Sequence, residues 1–431
     1  MNRSLALFAE ARRYIPGGTV SLNRKVDPEI AFVRGRGARM WDADGREYLD
    51  YHAAFGPYLL GHNHPVVEGA VRKAQDDGWT LTGTGTTPWE AEAAELLVTC
   101  VPTLEKVQFT NTGSEATYLA LRLARAATGR DHICVMQGGY NGWHDEVACN
   151  VMTPLDQIGP ERHDGSYPFV PMSAGMPSDI ASRVHVLQFN SLEAVEWAFK
   201  NHPVAALLTE PILQNIGVVK PLPGYLEGLR WLCDQYGVVL ILDEVKTGFR
   251  HSVRGYHDIA GVRPDLAVFG KAIANGYPVG ALGGKAELMD LFDDPDPKKR
   301  VLIAGTYNGH PIPLAASIAT MRLLLDDPEI YGRMEGLAAR LCDGMQAILD
   351  GQGTVVRQSS AFCPYFMDHA PTSWHDLATH HDMARDVRTR KAMIERGVYV
   401  FPLATKQWSL SAAHTEADVD LTLAAFEEAL R

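Results

Sequence analysis

Four short segments of this chain place reactive side chains directly after an apolar run. Leu266-Ala267-Val268-Phe269 leads into Gly270-Lys271, so a glycine clears space and a lysine leaves the strand at once. A lysine held there can form an imine with an aldehyde cofactor, and its amine, once displaced by a substrate, can carry a proton; taken alone it reads as an ordinary solvated lysine. The run from Val238 to Leu242 delivers Asp243 at its exit. An anionic carboxylate beside a pyridine nitrogen keeps that nitrogen protonated, which makes the ring an electron sink, although a strand-end aspartate by itself is more often a turn or helix cap. Thr110-Asn111-Thr112-Gly113-Ser114-Glu115-Ala116 precedes a window with Leu119, Leu123 and Ala126 on one helical face. Gly113 and Ser114 thus offer a phosphate the free N–H groups of a first helical turn and a hydroxyl, against the plainer reading of a simple N-cap. Gly138-Gly139-Tyr140-Asn141-Gly142-Trp143 follows the run Ile133 to Met136 and puts aromatics where one could stack on a planar ring.

The conjunction matters more than any member. Phosphate cradle, stacking ring, carboxylate and lysine occur in one order on successive strands, and those are the parts a pyridoxal phosphate site needs. From about Pro65 to Gly284 helix-like windows alternate with short apolar runs (Val107 to Thr110, Ile133 to Gln137, Val204 to Glu210, Val238 to Asp243, Leu266 to Gly270). That alternation predicts an α/β fold with a mostly parallel sheet flanked by helices, which binds ligands at the carboxyl ends of its strands. Residues 3 to 14 read as an amphipathic helix, Val33 to Tyr51 as a small meander turning at Asp42-Ala43-Asp44-Gly45, and the chain beyond about Pro313 as long helices and an α+β tail. The expected division is residues 1–64 as an N-terminal segment and part of a small domain, 65–311 as the large domain, and 312–431 as the rest of the small α+β domain. Thr153 to Pro177, rich in Pro and Gly and without a period, is expected to be a mobile lid or an unstructured surface loop.

With 431 residues, 46% of them hydrophobic, the chain can bury a large core. A net charge of -12 disfavours nucleic acid and anionic membranes as partners and leaves small molecules. Six cysteines without a C-x-x-C pair suggest neither a disulfide framework nor a zinc ribbon and fit a reducing cytoplasm. No bilayer span or targeting segment is expected. His375, His380, His381 and Asp382 read as a solvated face rather than a metal site. Gly35-x-Gly37 is followed by Met40 where a nicotinamide-binding motif needs glycine, which sets aside a dehydrogenase.

With those residues in hand, the chain resembles a class III aminotransferase, a fold-type-I pyridoxal-phosphate enzyme, and most the subgroup containing glutamate-1-semialdehyde aminomutase. The resemblance covers nearly the whole chain and rests on Ile15-Pro16-Gly17-Gly18, Gly56-Pro57-Tyr58-Leu59-Leu60-Gly61-His62-Asn63-His64-Pro65, Asn111 to Ala116, Asp243-Glu244-Val245-Lys246-Thr247-Gly248-Phe249-Arg250 and Gly270-Lys271. It implies that Lys271 carries the cofactor, pyridoxal 5'-phosphate, as a Schiff base, that Asp243 partners its ring nitrogen, and that Gly113 and Ser114 hold its phosphate. It further implies that Tyr140 and Val245 cover the two faces of the ring and that Glu210 and Asn215 support it from behind. Ala304-Gly305-Thr306-Tyr307-Asn308-Gly309-His310-Pro311 resembles the loop whose threonine reaches the neighbouring subunit's phosphate, so Thr306 implies a homodimer with shared active sites. Ser21 and Arg24 fall where the aminomutase-like enzymes have a serine and an arginine, the arginine able to hold a substrate carboxylate, and Phe55 falls at a pocket aromatic.

Two departures bear on the reaction. Where the aminomutases carry a gating loop rich in Ala, Gly and Ser, this chain has Val151-Met152-Thr153-Pro154-Leu155-Asp156-Gln157, and Lys406 stands where an ungapped count gives the mutases an acid. A mutase has to retain a diamino intermediate until nitrogen returns at the adjacent carbon, so a lost gate argues for transamination between an amino donor, such as a β- or ω-amino acid, and a keto acid or aldehyde. The alternatives are glutamate-1-semialdehyde 2,1-aminomutase or a related mutase or racemase. More remote is a non-catalytic ligand sensor, for whose usual DNA-binding element the short N-terminal segment leaves no room.

Overall fold

The apolar runs that end in reactive residues lie side by side in one eight-stranded sheet, whose spatial order is Lys106–Thr110, Gly280–Gly284, Leu266–Gly270, Val239–Asp243, Val204–Thr209, His132–Met136, Val184–Leu187 and Ser166–Tyr167. The structure is a computed structural model that describes residues 2–160, 162 and 164–431. From Leu266–Gly270 through Val184–Leu187 neighbouring strands are parallel, while Gly280–Gly284 and Ser166–Tyr167 run against their neighbours. Strands 204–209, 239–243 and 266–270 are buried along their whole length, as sequences apolar up to their last residue must be when helices cover both faces. The register aligns Thr110 with Gly280 and Gly280 with Gly270, which brings the chain after Thr110 alongside Lys271. Glycine is required there: a Cβ at Gly280 would lie 2.3 Å from the Thr112 carbonyl oxygen.

The helix Gly113–Thr128 starts where the sequence predicts. Thr112 caps it and Glu115 answers in a reciprocal capping box, with Gly129 closing the far end at φ 66°. Its buried face of Ala116, Leu119, Ala120, Leu123 and Ala124 packs over strands 266–270 and 280–284, which fixes the first turn at the sheet's carboxyl edge.

Two compact units form: residues 1–65, 329–370 and 381–431 make one, and residues 66–328 with 371–380 make the other. The division differs from the expected change at residue 312. Helix Pro311–Asp326 stays with the sheet-bearing unit because Leu314, Ala316, Ile318, Met321 and Leu324 are buried around its circumference and it packs on helix Pro88–Cys100. Residues 371–380 return to the same unit, where Trp374 Nε1 donates to the Thr153 carbonyl at 2.8 Å.

The smaller unit is α+β and is built from both ends of the chain. Phe32–Arg36, Arg39–Asp42 and Glu47–Asp50 form the expected meander, and Val398–Tyr399 adds a parallel strand beside Glu47–Asp50. Asp42 fixes the turn by accepting the N–H groups of Asp44 at 3.0 Å and Arg46 at 2.8 Å. A second sheet of Thr354–Gln358, Ala361–Tyr365 and Trp408–Ser409 packs with helices Glu329–Leu349 and Glu416–Leu430 around Tyr51, Leu341, Phe362, Trp408 and Phe426. The opening helix spans Arg3–Ala11, shorter than the expected 3 to 14.

The segment expected as a mobile lid or an unstructured loop is not unstructured along its described residues; Glu161 and His163 lie outside them. It contains a turn of helix at Leu155–Ile158 and the edge strand Ser166–Tyr167. The buried Asn150 braces it, donating to Gln137 Oε1 at 2.8 Å and to the Pro168 carbonyl at 2.9 Å and accepting from Val170 N at 2.8 Å.

Candidate active site

Lys271 leaves the carboxyl end of its strand in the left-handed region, at φ 48°, a conformation that costs a non-glycine residue energy and persists only where its surroundings impose it. Burial lowers the pKa of its amine; the nearby carboxylates of Asp243 and Glu210 oppose that shift, and Arg250 adds to it. A larger fraction of neutral amine at a given pH is what a nucleophile and proton carrier needs.

Asp243 is buried. Its Oδ2 accepts from Asn141 Nδ2 at 2.8 Å and its Oδ1 from the Val245 N–H at 3.0 Å, so the carboxylate is held at both oxygens. Burial nevertheless raises its pKa, against the lowering effect of those two donors and of Lys271. Glu210, also buried, accepts the backbone N–H groups of Tyr140 and Gln214, each at 3.0 Å, and its pKa is raised by burial and then by Asp243. Two buried carboxyl groups share this site, and a cation placed against Asp243 would favour its ionised form.

The segments expected to hold a phosphate come together through close backbone approaches. A Cβ at Gly113 would lie 2.7 Å from Val245 Cγ2, one at Gly270 3.3 Å from Val245 Cγ1, and one at Gly142 2.9 Å from Ser114 Oγ. Gly113, Ser114, Val245, Gly270 and the turn at Asn141-Gly142 are thus gathered in one place. The cap on Glu115 leaves the N–H groups of Gly113 and Ser114 in the first turn for an anion. A cradle that admits no side chain at Gly113 or Gly142, beside a buried carboxylate and a lysine in a strained conformation, fits a phosphorylated ring cation.

Lys271, Asp243, Glu210, Tyr140, Gly113, Ser114 and Val245 are therefore brought to one edge of one sheet. Asn215 is part-exposed; its neighbour Gln214 donates its N–H to Glu210, and Gln214 Nε2 meets His251 Nε2 at 2.5 Å. Thr306 lies in an exposed loop whose Asn308 Oδ1 accepts from Asn111 Nδ2 at 3.1 Å. Ser21, Arg24 and Phe55 belong to the smaller unit. There Ser21 precedes a single 3-10 turn, Leu22–Arg24, and Arg24 is exposed and forms no ion pair among the described residues. Phe55 stands 4.3 Å from the His52 ring and 5.0 Å from the Phe401 ring, in a turn where Ala53, Ala54 and Phe55 all have positive φ. Consecutive strained residues of this kind concentrate at functional sites.

Asn141, which holds Asp243, was not singled out by sequence reasoning, nor was the buried chain in which Thr247 donates to Glu244 and Glu244 Oε1 accepts the His257 N–H at 2.8 Å. Asn141 lies far from Asp243 in sequence and Glu244 from His257, and spacing carries no trace of such pairs. Glu146 is a further example. Burial pushes its pKa up, but His144 and the ion pair with Arg125 outweigh that and hold it at about 2. The pair ties the Tyr140 segment to the helix of Ser114. A carboxylate whose folded pKa is depressed stabilises above its ordinary pKa and loses that contribution as pH falls through the folded value. Glu146→Gln should cost about 2 kcal/mol at pH 7, and the gap to the wild type should narrow as pH falls from 5 toward 2. Denaturant unfolding across that range checks it; a pH-independent gap would count against the ion pair.

Comparisons with known proteins give the family and the fold. The family described as "Aminotransferase class-III" matches residues 21–429. A glutamate-1-semialdehyde 2,1-aminomutase of Desulforudis audaxviator is 39% identical over 100% of this chain and 98% of its own. An omega-transaminase structure from Sphaerobacter thermophilus superposes with TM-score 0.91 at 32% identity, covering 99% of this chain and 97% of that one. A glutamate-1-semialdehyde aminomutase from Pseudomonas aeruginosa PAO1 in complex with PMP gives TM-score 0.87 at 27% identity, covering 99% and 94%. The fold is that of the fold-type-I transaminases. By name, the similar curated relatives favour the aminomutase reading that the sequence ranked second.

Proposed function

The chain belongs to the class-III aminotransferase family, and from that premise we propose that it moves an amino group from one small molecule to another, a transaminase reaction, with Lys271 as its catalytic base. Its cofactor is pyridoxal 5'-phosphate. When bound, that group supplies an aldehyde carbon to accept the substrate's amine and a protonated ring to draw electrons from the adjoining carbon.

The residues around it have distinct tasks. Lys271 Nζ holds the cofactor and then moves a proton between the substrate carbon and the cofactor carbon. Asp243, fixed by Asn141 and Val245, keeps the ring nitrogen charged. Gly113 and Ser114 hold the phosphate, Tyr140 and Val245 bound the ring, and Glu210, fixed by Tyr140 and Gln214, supports it with Asn215 beside it. Ser21, Arg24 and Phe55 bind substrate, with the Arg24 guanidinium on a carboxylate displaced from the reacting amine, as in β- or ω-amino acids. The exposed Thr306 reaches the phosphate of a second copy, so the working form is a homodimer, checked by sedimentation at twice the chain mass. Six buried, unpaired cysteines support a cytoplasmic setting. No helix among the described residues is long and apolar enough to cross a membrane.

The observation that favours transfer between molecules is the tethering of the segment in the gate's place. Val151, Thr153 and Ile158 are buried, Trp374 holds the Thr153 carbonyl at 2.8 Å, and Asn150 braces the strand beyond. A gate that retains a released diamino molecule has to move, and these contacts oppose movement. The second reading, an aminomutase, rests on 39% identity over the whole chain to an enzyme of that name. Glutamate 1-semialdehyde supplied without any keto-acid acceptor separates them. Transamination predicts at most one turnover per site, with β-amino acids and amines then converting the cofactor once per site until an acceptor is added. Sustained formation of 5-aminolevulinate would establish the mutase.

A further inference from the structure

Three imidazoles converge at the opposite edge of the sheet from the active site. His132 opens strand His132–Met136, His185 is second in Val184–Leu187, and His202 caps helix Leu192–Asn201 just ahead of Val204–Thr209. The far ends of those strands lead to Tyr140 and Glu210, and a rise of about 3.3 Å per residue puts His132 about 13 Å from Met136. His132 Nδ1 and His185 Nε2 are hydrogen-bonded at 2.9 Å, the rings of His185 and His202 stack with centroids 3.8 Å apart at 21°, and one ring nitrogen from each histidine lies within 4.8 Å of the others. All three side chains are half-buried. Burial and the neighbouring rings push the pKa of His185 down to about 4, and burial followed by His132 lowers that of His202.

We propose that His132, His185 and His202 form a binding site for a divalent transition-metal ion of the zinc type, which clips the amino ends of these strands together. Neutral imidazoles are the nitrogen donors that zinc, nickel and copper take, and three of them leave a fourth position for water. Two tetrahedral ligands at about 2.0–2.1 Å from zinc lie about 3.3 Å apart, whereas here one nitrogen pair is at 2.9 Å and the set spans up to 4.8 Å, and lone pairs lie in the ring planes. One stacked ring therefore turns about its Cβ–Cγ bond and the cluster tightens. The ring that now donates its N–H moves that proton to its other nitrogen, so binding requires no net loss of protons. Half-burial leaves a path for the ion. Because the cluster stands apart from Lys271, the ion stabilises the fold without taking part in turnover.

The test uses cofactor-loaded enzyme stripped with a chelator, dialysed against zinc chloride and analysed for zinc per chain and for Tm. One zinc per chain is expected in the wild type and in Lys271→Ala, with Tm raised by about 3 °C when zinc is well above its Kd. His185→Ala and His202→Gln should bind at least tenfold more weakly and lose the Tm response while retaining wild-type turnover. Should His185→Ala fold poorly, His202→Gln, altered just beyond a helix end, carries the test. A wild type that takes up no zinc, or histidine variants that bind it as the wild type does, would overturn the proposal.

Discussion

Lys271→Ala is expected to lower kcat by about four orders of magnitude or more, because it removes the group proposed as both the cofactor's anchor and the proton carrier. The fold should survive. The lysine's amine is disfavoured in its charged form by burial, and its left-handed φ of 48° is imposed by the strand end, so alanine inherits the strain without the buried charge. Tm within a few degrees of the wild type, with partial return of activity on adding a small primary amine, would assign the loss to chemistry. Full activity in the variant would remove Lys271 from the mechanism.

Asp243→Asn is the second large effect. The amide can still accept the Val245 N–H, and Asn141 can turn its own amide to meet the new group, so packing is largely kept while the charge is gone. Removing one preorganised electrostatic group typically costs about 10²–10³ in kcat, and here the loss should fall on kcat more than on KM, because the carboxylate is proposed to face the ring rather than the substrate's recognition groups. The pH dependence of the bound cofactor's absorbance should shift as well, reporting the ring nitrogen directly. Activity within twofold of the wild type would show that another group fills the place given to Asp243.

Both residues stand out in the sequence for a physical reason. Strands buried on both faces are apolar at every position, so the first reactive residue after each run marks the carboxyl edge of a parallel sheet, where ligands bind. The Gly113 helix start was readable because its cap is local: Thr112 and Glu115 sit within one turn of each other. Contacts between distant positions were not readable. Nothing in the spacing links Asn141 to Asp243, Trp374 to Thr153, or Gly280 to the turn at Thr112, although each decides the shape of the site. Thr153 and Pro168 show the same limit, since the Pro and Gly content around them gives no sign that Trp374 and Asn150 bond their carbonyls from outside the segment. Helix Pro311–Asp326 falls with the sheet-bearing unit rather than beyond the expected boundary at 312, because a helix buried on many sides does not reveal from its sequence which neighbours bury it.

Borohydride reduction of the cofactor-loaded enzyme, followed by digestion and mass mapping, tests the central claim most directly. The reduced cofactor's mass should be found on the peptide containing Lys271, on no other lysine peptide, and on none in Lys271→Ala. The same mass on a different lysine, or its absence from a fully loaded and active enzyme, would contradict the account.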